Sequence, residues 1–536
     1  MWQPATAGGP ERSHATGGIP AVTPDPPADL PDVFDAVERY GEELGPKVFL
    51  RSVDQRRTLS YAELRSFCRR ISACYGALGI GEADKVSVIG ANSAETLLIF
   101  LGTLYHGAVI NPINVDESRA NVYKILGLVK PRLVLHDAVL ALDAKRLAGA
   151  ERRPFTNFEV ALGSRSDFFS ALPPASAESA PAARREGDLA EVLFTSGTTS
   201  TPKGVCIARG PLHAMVSEIA EKMGITGDDV LLEYRNYNWA SAQLLTILSS
   251  VLKGATLVLA RKFSRSRFPR WLAECGVTIA AGVPTVINIL AHEPVCVQDG
   301  GLGRVRFMTS SSAPLSVASQ LEFERIYGIP IVQAMGMSEA GFMLGNPFEG
   351  RKTGSAGTPC KYKEIFFVGP GGRRCGPGEE GEMVVRGYAM GMGYLEEDGR
   401  IAPFPAEGFR TGDLGYTDAD GFIYITGRAK DLIIRGGVNI APMEITSRIM
   451  EHPSIREAAT IGVPDPIYGE EVASFVVAKE GCGLRGEDVI AHCRKSLPDF
   501  KVPKSVHLLD EIPKNDRGKV SKHDLLQVFH AKLRNP

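Results

Sequence analysis

The sequence lacks a long apolar run, and its cysteines show no pairing pattern. No stretch of about 18 consecutive apolar residues occurs, so no membrane-spanning helix is expected. The nine cysteines among the 536 residues are scattered, odd in number and free of any Cys-x-x-Cys pair. This distribution argues against both a disulfide framework and a zinc site. A reducing, cytoplasmic location is therefore predicted.

The chain also lacks an excess of charge of either sign. Lys and Arg together number 60 and Asp and Glu 62, for a net charge of −2. Neither nucleic acid nor an anionic membrane is therefore an expected partner. Residues 1–30 have no basic start and no apolar core, and their Pro, Gly, Ala and Thr content predicts a disordered leader.

The hydrophobic pattern that follows predicts an α/β fold of more than one domain. Ser60 and Glu63 form a capping-box pattern ahead of a helix, and further strands and helices then alternate. From 353 to 425 the chain turns to short Gly-rich strands, which favour a small β-barrel or an antiparallel sheet. After Gly427 the pattern predicts a separate α+β domain of about 110 residues.

An apolar strand at Val192–Phe194 ends in a loop of hydroxyls, glycines and one lysine, which is what a phosphate-binding loop requires. The loop is not a Walker loop, because Lys203 lies between Pro202 and Gly204. A flexible surface turn is the alternative for such a loop taken alone.

Five segments, taken in order, resemble the adenylate-forming superfamily of acyl-CoA synthetases, peptide-synthetase adenylation domains and firefly-type luciferases. They cover the chain from about residue 35 to 525 and are Thr195–Gly204, Met335–Glu339, Phe409–Leu414, Gly427–Glu444 and Pro513–Lys519. The resemblance implies two doubly wound sheets plus a small β-barrel in an N-terminal AMP-binding and acyl-binding domain at 31–427. A small mobile α+β domain at 428–536 would follow.

The resemblance also implies roles for particular residues. Glu339 would reach Mg²⁺, Lys203 would assist with phosphate, and Lys519 would be the catalytic lysine. Nucleotide-binding roles are implied for Thr195, Ser196, Gly197, Thr198, Thr199, Lys203, Ser312, Ala313, Met335, Gly336, Ser338, Asp413 and Arg428. Lys430 and Asp431 correspond to the domain hinge, and Gly436 and Gly437 to the loop that admits the pantetheine thiol of coenzyme A.

Several segments also allow ordinary interpretations when taken alone. Met335–Glu339 would serve as a helix cap, Thr411–Asp413 as a β-turn, and Lys519 as a solvated surface lysine. Two departures from the family pattern stand out: Ser200 replaces a glycine, and Met335 replaces an aromatic residue, so that face stacking is lost.

The acyl pocket corresponds to Tyr237, Asn238, Trp239, Ser310 and Ser311. Asn238 is neutral where amino-acid-activating relatives carry an aspartate, so a free α-amino acid is disfavoured. Tyr237 and Trp239 either narrow the acyl tunnel or belong to the core. Serines in place of glycines at 310–312 indicate a tighter, more polar pocket, hence a small, cyclic, aromatic or short- to medium-chain acid.

The predicted function is an ATP-dependent, AMP-forming acid–CoA ligase that uses Mg²⁺ and coenzyme A. A carboxylate must be activated because its oxygen is a poor leaving group; attack on the α-phosphate gives an acyl-adenylate, from which a thiol displaces AMP. A stand-alone adenylation enzyme that loads a carrier protein is the alternative within the superfamily. A nucleotide-binding protein without catalysis is the alternative from another class. The sequence does not predict an oligomeric state.

Overall fold

The computed structural model describes residues 27, 29–137, 140, 151–155, 168–177, 184–195, 202–295, 302–514 and 519–534. Most of the predicted leader, residues 1–26 and 28, lies outside these ranges. No helix within them is both long and apolar enough to cross a membrane.

The strands of the described residues form four sheets. Their bounds are β1 Val48–Ser52, β2 Arg57–Ser60, β3 Lys85–Gly90, β4 Val109–Asn114, β5 Leu133–Asp137, β6 Glu151–Phe155, β7 Leu189–Thr195, β8 Lys203–Ala208, β9 Val230–Glu233, β10 Thr256–Leu259, β11 Ile279–Ala280, β12 Phe307–Ser310, β13 Ile331–Met337, β14 Gly341–Gly345, β15 Thr358–Pro359, β16 Lys363–Val368, β17 Gly381–Gly387, β18 Gly393–Leu395, β19 Ile401–Pro403, β20 Phe409–Thr417, β21 Ile423–Arg428, β22 Ile433–Arg435, β23 Val438–Ile440, β24 Ile455–Asp465, β25 Gly469–Ala478 and β26 Ser505–Leu508.

Helices connect and cover these strands. Their bounds are α1 Val33–Glu43, α2 Tyr61–Ala77, α3 Ala94–His106, α4 Arg119–Val129, α5 Arg209–Lys222, α6 Ala240–Ala242, α7 Ser249–Lys253, α8 Phe268–Glu274, α9 Pro284–His292, α10 Val317–Tyr327, α11 Pro442–Met450, α12 Gly486–Arg494 and α13 Lys522–Arg534. Between α6 and α7 the chain is π-helical over Gln243–Leu248. The segment from Ala240 to Lys253 therefore consists of two α-helical pieces joined by a π-helical one.

Two large sheets carry the N-terminal part of the chain. The nine-stranded sheet has the order β15-β14-β13-β12-β11-β9-β10-β1-β2, and the eight-stranded sheet has the order β19-β18-β8-β7-β4-β3-β5-β6. Their central strands are parallel, as the alternation of strands and helices predicts. Ligands bind such sheets at the carboxyl ends of the strands, so the residues after β9, β12 and β13 share one edge.

Local sequence explains the helices next to these sheets. Ser60 and Glu63 form the predicted capping box at the start of α2. Every residue of α3 from Ala94 to Tyr105 is buried, and the helix packs against α2, β3 and β4. A predominantly apolar helix is stable when it is covered on all sides, and α3 accordingly lies inside the core.

The Gly-rich region forms an antiparallel sheet of order β16-β17-β20-β21. Beyond it, β23, β22, β25 and β24 make an antiparallel sheet, with β26 parallel to β25. This sheet and helices α11 and α12 enclose a core of their own. The α/β class with a large N-terminal and a small C-terminal unit is confirmed. The boundary at 427/428 stays a prediction, and Ala429–Asp431 forms the short link between β21 and β22.

Candidate active site

Glu339, Tyr394 and Lys203 form a cluster at the end of β13, which we call the Glu339 cluster. Glu339 lies in the turn between β13 and β14 and is 8% exposed. The Tyr394 hydroxyl donates to Glu339 Oε1 at 2.7 Å, and Lys203 Nζ lies 5.0 Å from the centroid of the Tyr394 ring. Three residues far apart in the sequence therefore meet at one point.

Strand pairing produces this cluster. Strand β18 pairs with β8, which begins at Lys203, and places Tyr394 opposite Val205. The Gly391 N–H donates to the Glu339 carbonyl oxygen at 2.8 Å and so fixes β18 next to the β13–β14 turn. Burial, and then the hydrogen bond to Glu339, raise the pKa of Tyr394, which keeps this phenol a donor. Tyr394 was not predicted, because nothing in its local sequence relates it to residues 339 and 203.

The Glu339 carboxylate is suited to a hard cation. Tyr394 uses Oε1, and among the described residues no donor reaches Oε2. The part of the chain that the structure describes contains no group of three or more His, Cys, Asp or Glu side chains that could hold a metal. Hard cations such as Mg²⁺ are commonly held by one or two carboxylates together with waters and the phosphates of a substrate, and Glu339 is a carboxylate of that kind.

The segment around Glu339 is a strand end and not a helix cap. Met335, Gly336 and Met337 lie in β13, with a bulge between Met335 and Gly336. A Cβ at Gly336 would lie 2.4 Å from the Gly341 carbonyl oxygen, so the hairpin requires glycine there. Ser338 follows directly, half-buried, beside Glu339.

Most of the predicted phosphate loop lies outside the described residues: Ser196, Gly197, Thr198, Thr199 and Ser200 are among these. Thr195 ends β7 and pairs with Lys203, the first residue of β8. Thr195 and Lys203, which border this loop in the sequence, therefore lie side by side, and Lys203 belongs to the Glu339 cluster.

Asp413 and Arg428 face each other across β20 and β21. The Arg428 Nε donates to Asp413 Oδ1 at 2.7 Å; the Asp413 side chain is 9% exposed and that of Arg428 44%. The Asp413 N–H donates to Thr411 Oγ1 at 3.1 Å, while Gly412 adopts a φ of 74°. The Thr-Gly-Asp segment therefore lies within a strand, not in a β-turn.

The turn at Ser310–Ser312 leaves β12 at the same edge of the sheet. Ser310 and Ser311 are each 2% exposed, and Ser310 Oγ has no partner among the described residues. Ser312 has a φ of 76°, in the left-handed region that favours glycine. Such strain costs about 1–2 kcal/mol, so the chain retains a glycine-type turn despite the serine. Ala313 follows directly.

A buried arginine borders this turn. Arg235 follows β9; its side chain is 2% exposed, and its Nη1 donates to Ser311 Oγ at 3.2 Å. Both Nε and Nη2 donate to the Glu233 carboxylate, Nη2 at 2.6 Å. Thr246, in the π-helical segment, donates from Oγ1 to Glu233 Oε2 at 2.6 Å. Neither Arg235 nor Glu233 was predicted as a site residue, although both adjoin the predicted acyl-pocket segment.

The two aromatic residues of the predicted acyl pocket have different surroundings. Tyr237 is 1% exposed, and its hydroxyl lies 2.8 Å from the Val88 carbonyl oxygen and 2.9 Å from that of Ile113. It therefore connects the edge of one large sheet to two strands of the other. Trp239 is half-buried. Asn238 Oδ1 is buried and has no partner among the described residues.

The remaining predicted residues lie toward the C-terminal sheet. Lys430 and Asp431 are in the one-turn link after β21. Gly436 and Gly437 form the turn of the β22–β23 hairpin with φ values of 57° and 83°. Lys519 is exposed and precedes Val520, which bridges to Lys514. Lys514 in turn pairs with Glu457 at 2.5 Å.

The described site thus brings Lys203, Glu339 and Tyr394 together and places Asp413 opposite Arg428, and these are residue types that a nucleotide-dependent activating enzyme uses. The model of the AMP-binding enzyme family matches residues 37–395, and that of the AMP-binding enzyme C-terminal domain matches residues 444–519. The chain therefore belongs to the AMP-binding enzyme family. It is an AMP-forming acid–thiol ligase, as the five segments predict.

Similar proteins agree with this assignment. The sulfoacetate–CoA ligase of Cupriavidus necator is 34% identical over 92% of this chain and 98% of its own length. The oxalate–CoA ligase of Arabidopsis thaliana is 30% identical over 90% of this chain and 95% of its own. The crystal structure of ATP-bound MatB from Rhodopseudomonas palustris is 27% identical, has a TM-score of 0.84, and matches over 93% of this chain and 98% of that one.

Proposed function

We propose that this ligase activates a short carboxylic acid that carries a second oxygen-rich acidic group, and that Arg235 and Ser311 bind this second group. The contact between Arg235 and Ser311 carries the proposal, because it places a guanidinium next to the turn predicted to border the acid. Two relatives act on acids of this kind, sulfoacetate and oxalate.

The Glu233–Arg235 pair determines how this subsite works. Glu233 neutralises the guanidinium and holds it through two donors, so the pair adds no net charge. The subsite therefore binds through oriented hydrogen bonds, and Arg235 Nη1 is the donor directed toward Ser311. A carboxylate or sulfonate oxygen accepts such bonds well, whereas an alkyl group offers these buried donors no acceptor beyond their contact with each other.

The reaction requires two anions to be aligned and their charge to be reduced. Lys203 and the phosphate loop would bind the β- and γ-phosphates, Asp413 the ribose hydroxyls, and Lys519 the reacting groups during adenylation. Asp413 accepts a hydrogen bond from Arg428 through one carboxylate oxygen. Nucleotide binding would therefore require this ion pair to open, or the ribose hydroxyls and Arg428 to donate to the same carboxylate. Mg²⁺ bound at Glu339 Oε2 would supply positive charge to the phosphates.

The acceptor proposed for the second step is coenzyme A, in agreement with the activities of the relatives. Its thiol would approach past Gly436 and Gly437, and Lys430 and Asp431 would be the hinge of a mobile C-terminal domain. A carrier-protein thiol is chemically equivalent and stays the alternative. The cytoplasmic location also stays a prediction.

Acids matched in chain length test the proposed substrate. Pyrophosphate exchange into ATP, measured with succinate against butyrate and with sulfoacetate against propionate, should favour the acid with two acidic groups. Addition of coenzyme A should then give a thioester. Equal or better exchange with the monoacids, or silence with succinate and sulfoacetate while ATP still binds, would contradict the proposed substrate class.

Variants connect that preference to the subsite. Ser311→Ala and Arg235→Lys should lower kcat/KM for the preferred acid about tenfold or more, since a hydrogen bond to a charged group is lost or misdirected. For the matched monoacid they should change kcat/KM much less. An equal loss for both acids would show a structural role only.

Lys519→Ala tests the predicted catalytic lysine. We expect adenylate formation to fall by roughly 100-fold or more, the usual cost of removing one charge-stabilising donor. Transfer from a supplied acyl-adenylate to coenzyme A should continue. Loss of both half-reactions to the same extent would contradict the proposed role.

A further inference from the structure

A cavity of about 460 Å³ opens at the end of the β1–β2 hairpin, where α8 packs beside it. We call it the arginine cavity. Its lining comes from three segments of the chain, namely Arg51, Ser52, Val53, Arg56, Arg57, Thr58, Arg267, Arg270, Trp271, Glu274 and Cys275.

The arginine cavity is separate from the active site. In the nine-stranded sheet, five strand steps lie between β13, which precedes Glu339, and β1, which ends in the cavity. At about 4.8 Å per step this separation is roughly 24 Å. None of the lining residues belongs to the Glu339 cluster or adjoins Asp413 or Ser311. A ligand in this cavity would therefore not touch the reacting groups.

Positive charge is concentrated here, although the whole chain is nearly neutral. Five arginines line the cavity and one carboxylate, Glu274, accompanies them. The segment 261–270 contributes five basic residues and no acidic one, in a chain with 60 basic and 62 acidic residues. Like charges that converge on one concave surface repel one another, and a concave surface of one sign concentrates ions of the opposite sign.

One arginine of the cavity is already neutralised and held in place. Arg267 Nη1 contacts Asp54 Oδ1 at 2.6 Å, and its guanidinium lies 5.0 Å from the centroid of the Trp271 ring. By contrast, no carboxylate within the described ranges forms an ion pair with Arg51, Arg56 or Arg270. These three guanidinium groups are therefore the donors left to bind an external anion.

The backbone provides an independent observation. Arg56 lies in the hairpin turn with a φ of 51°, one of three non-glycine residues of the described chain in the left-handed region. Glycine would adopt this conformation without strain, and arginine pays about 1–2 kcal/mol for it. The turn thus places an arginine side chain at the cavity, although its backbone conformation favours glycine, which has no side chain.

We propose that the arginine cavity binds a small anion bearing two or more phosphate groups. Guanidinium groups bind phosphate in a bidentate manner. Three of them around one cavity therefore suit an anion with several phosphates better than an anion with a single carboxylate. The volume admits a compact polyphosphate. The same chemistry occurs in soluble phosphorylated metabolites and in phosphorylated lipid headgroups.

Inositol hexakisphosphate is the probe for the soluble source, because it is not a reactant of the ligase. Titration calorimetry with the full chain should show binding that weakens as salt rises. The double variant Arg51→Ser/Arg270→Ser should lose about tenfold or more in affinity, since each serine removes a charged donor. Arg494→Ser, an exposed arginine in α12, is the matched control and should bind as the original chain does.

Several outcomes would overturn the proposal. They are no binding, equal affinity in the double variant and the original chain, or inhibition of pyrophosphate exchange by the probe that competes with ATP and persists in the double variant, which would place the probe in the active site. Circular dichroism and ligase activity without probe should be unchanged in the double variant, which separates lost binding from lost folding. Vesicles of phosphatidylcholine with and without phosphatidylinositol 4,5-bisphosphate form the lipid arm. Binding confined to the phosphorylated vesicles, and lost in the double variant, supports the same site with a headgroup as its source.

Discussion

Two arginine–carboxylate pairs near the active site differ in burial. Glu233–Arg235 is 0% and 2% exposed and is joined by several hydrogen bonds, whereas in Asp413–Arg428 the arginine is 44% exposed and one bond joins the two side chains. Separating a buried pair leaves a charge in a medium that solvates it poorly, but water replaces an exposed partner cheaply. The first pair is therefore a fixed part of the site, and the second can exchange its partner for a ligand.

The largest effect should come from breaking the buried pair. Glu233→Ala leaves the Arg235 guanidinium buried without its counter-charge and should lower the free energy of unfolding by about 3–5 kcal/mol. Urea denaturation followed by fluorescence measures this change. A loss below about 1 kcal/mol would show that the pair is as replaceable as the exposed one.

Asp413→Ala should affect activity more than stability. If both carboxylate oxygens bind ribose hydroxyls, kcat/KM for ATP in pyrophosphate exchange should fall roughly 100-fold, equivalent to about 2.7 kcal/mol. The urea midpoint should move much less than in Glu233→Ala. An unchanged kcat/KM for ATP would remove Asp413 from the nucleotide site.

Glu191 is a buried carboxyl group that, unlike Glu233 and Asp413, forms no ion pair with an arginine of the described residues. Burial raises its pKa to about 8, against a smaller opposite effect of the hydrogen bond from Gln243. The folded protein thus keeps a proton that the unfolded chain has already released. The proton on Glu191 therefore makes the free energy of unfolding fall as the pH rises from the pKa of the unfolded chain to about 8. Above about pH 8 its contribution no longer changes with pH.

Glu191→Gln removes that titration. Between about pH 5 and pH 7 the variant should gain roughly 2 kcal/mol relative to the original chain. Urea denaturation at several pH values measures the difference, and Glu349→Gln, at an exposed acid on the surface, is the control. A difference that does not change with pH would show that Glu191 titrates normally.

The smallest effect on stability should come from Arg428→Ala. The half-exposed pair contributes about 0–1 kcal/mol, so the urea midpoint should hardly change. The KM for ATP should rise only a few-fold, since Asp413 keeps its place in the strand. A stability loss as large as that of Glu233→Ala would contradict the distinction between the two pairs.

Local sequence was sufficient to predict the regular elements that depend on neighbouring residues. The helix α2 begins at the capping box of Ser60 and Glu63, where the sequence predicts it, and strands and helices alternate after it. The eleven-residue strand β24 was not predicted, because Gly462 and Pro464 interrupt its pattern. It lies at an edge of its sheet, where a proline without an N–H is tolerated.

By itself, the sequence determined the α/β class, the capping box at Ser60 and the chemistry of an adenylate-forming ligase, because these depend on short segments whose residue types are informative in order. Only the tertiary structure decided that Tyr394 holds Glu339, that Arg235 reaches Ser311, and that arginines from a hairpin and a helix share one cavity. The residues in these contacts are separated in the sequence by 55, 76 and more than 200 positions. Strand order and register bring such residues together, and they are set by the packing of the whole core, which no short segment encodes.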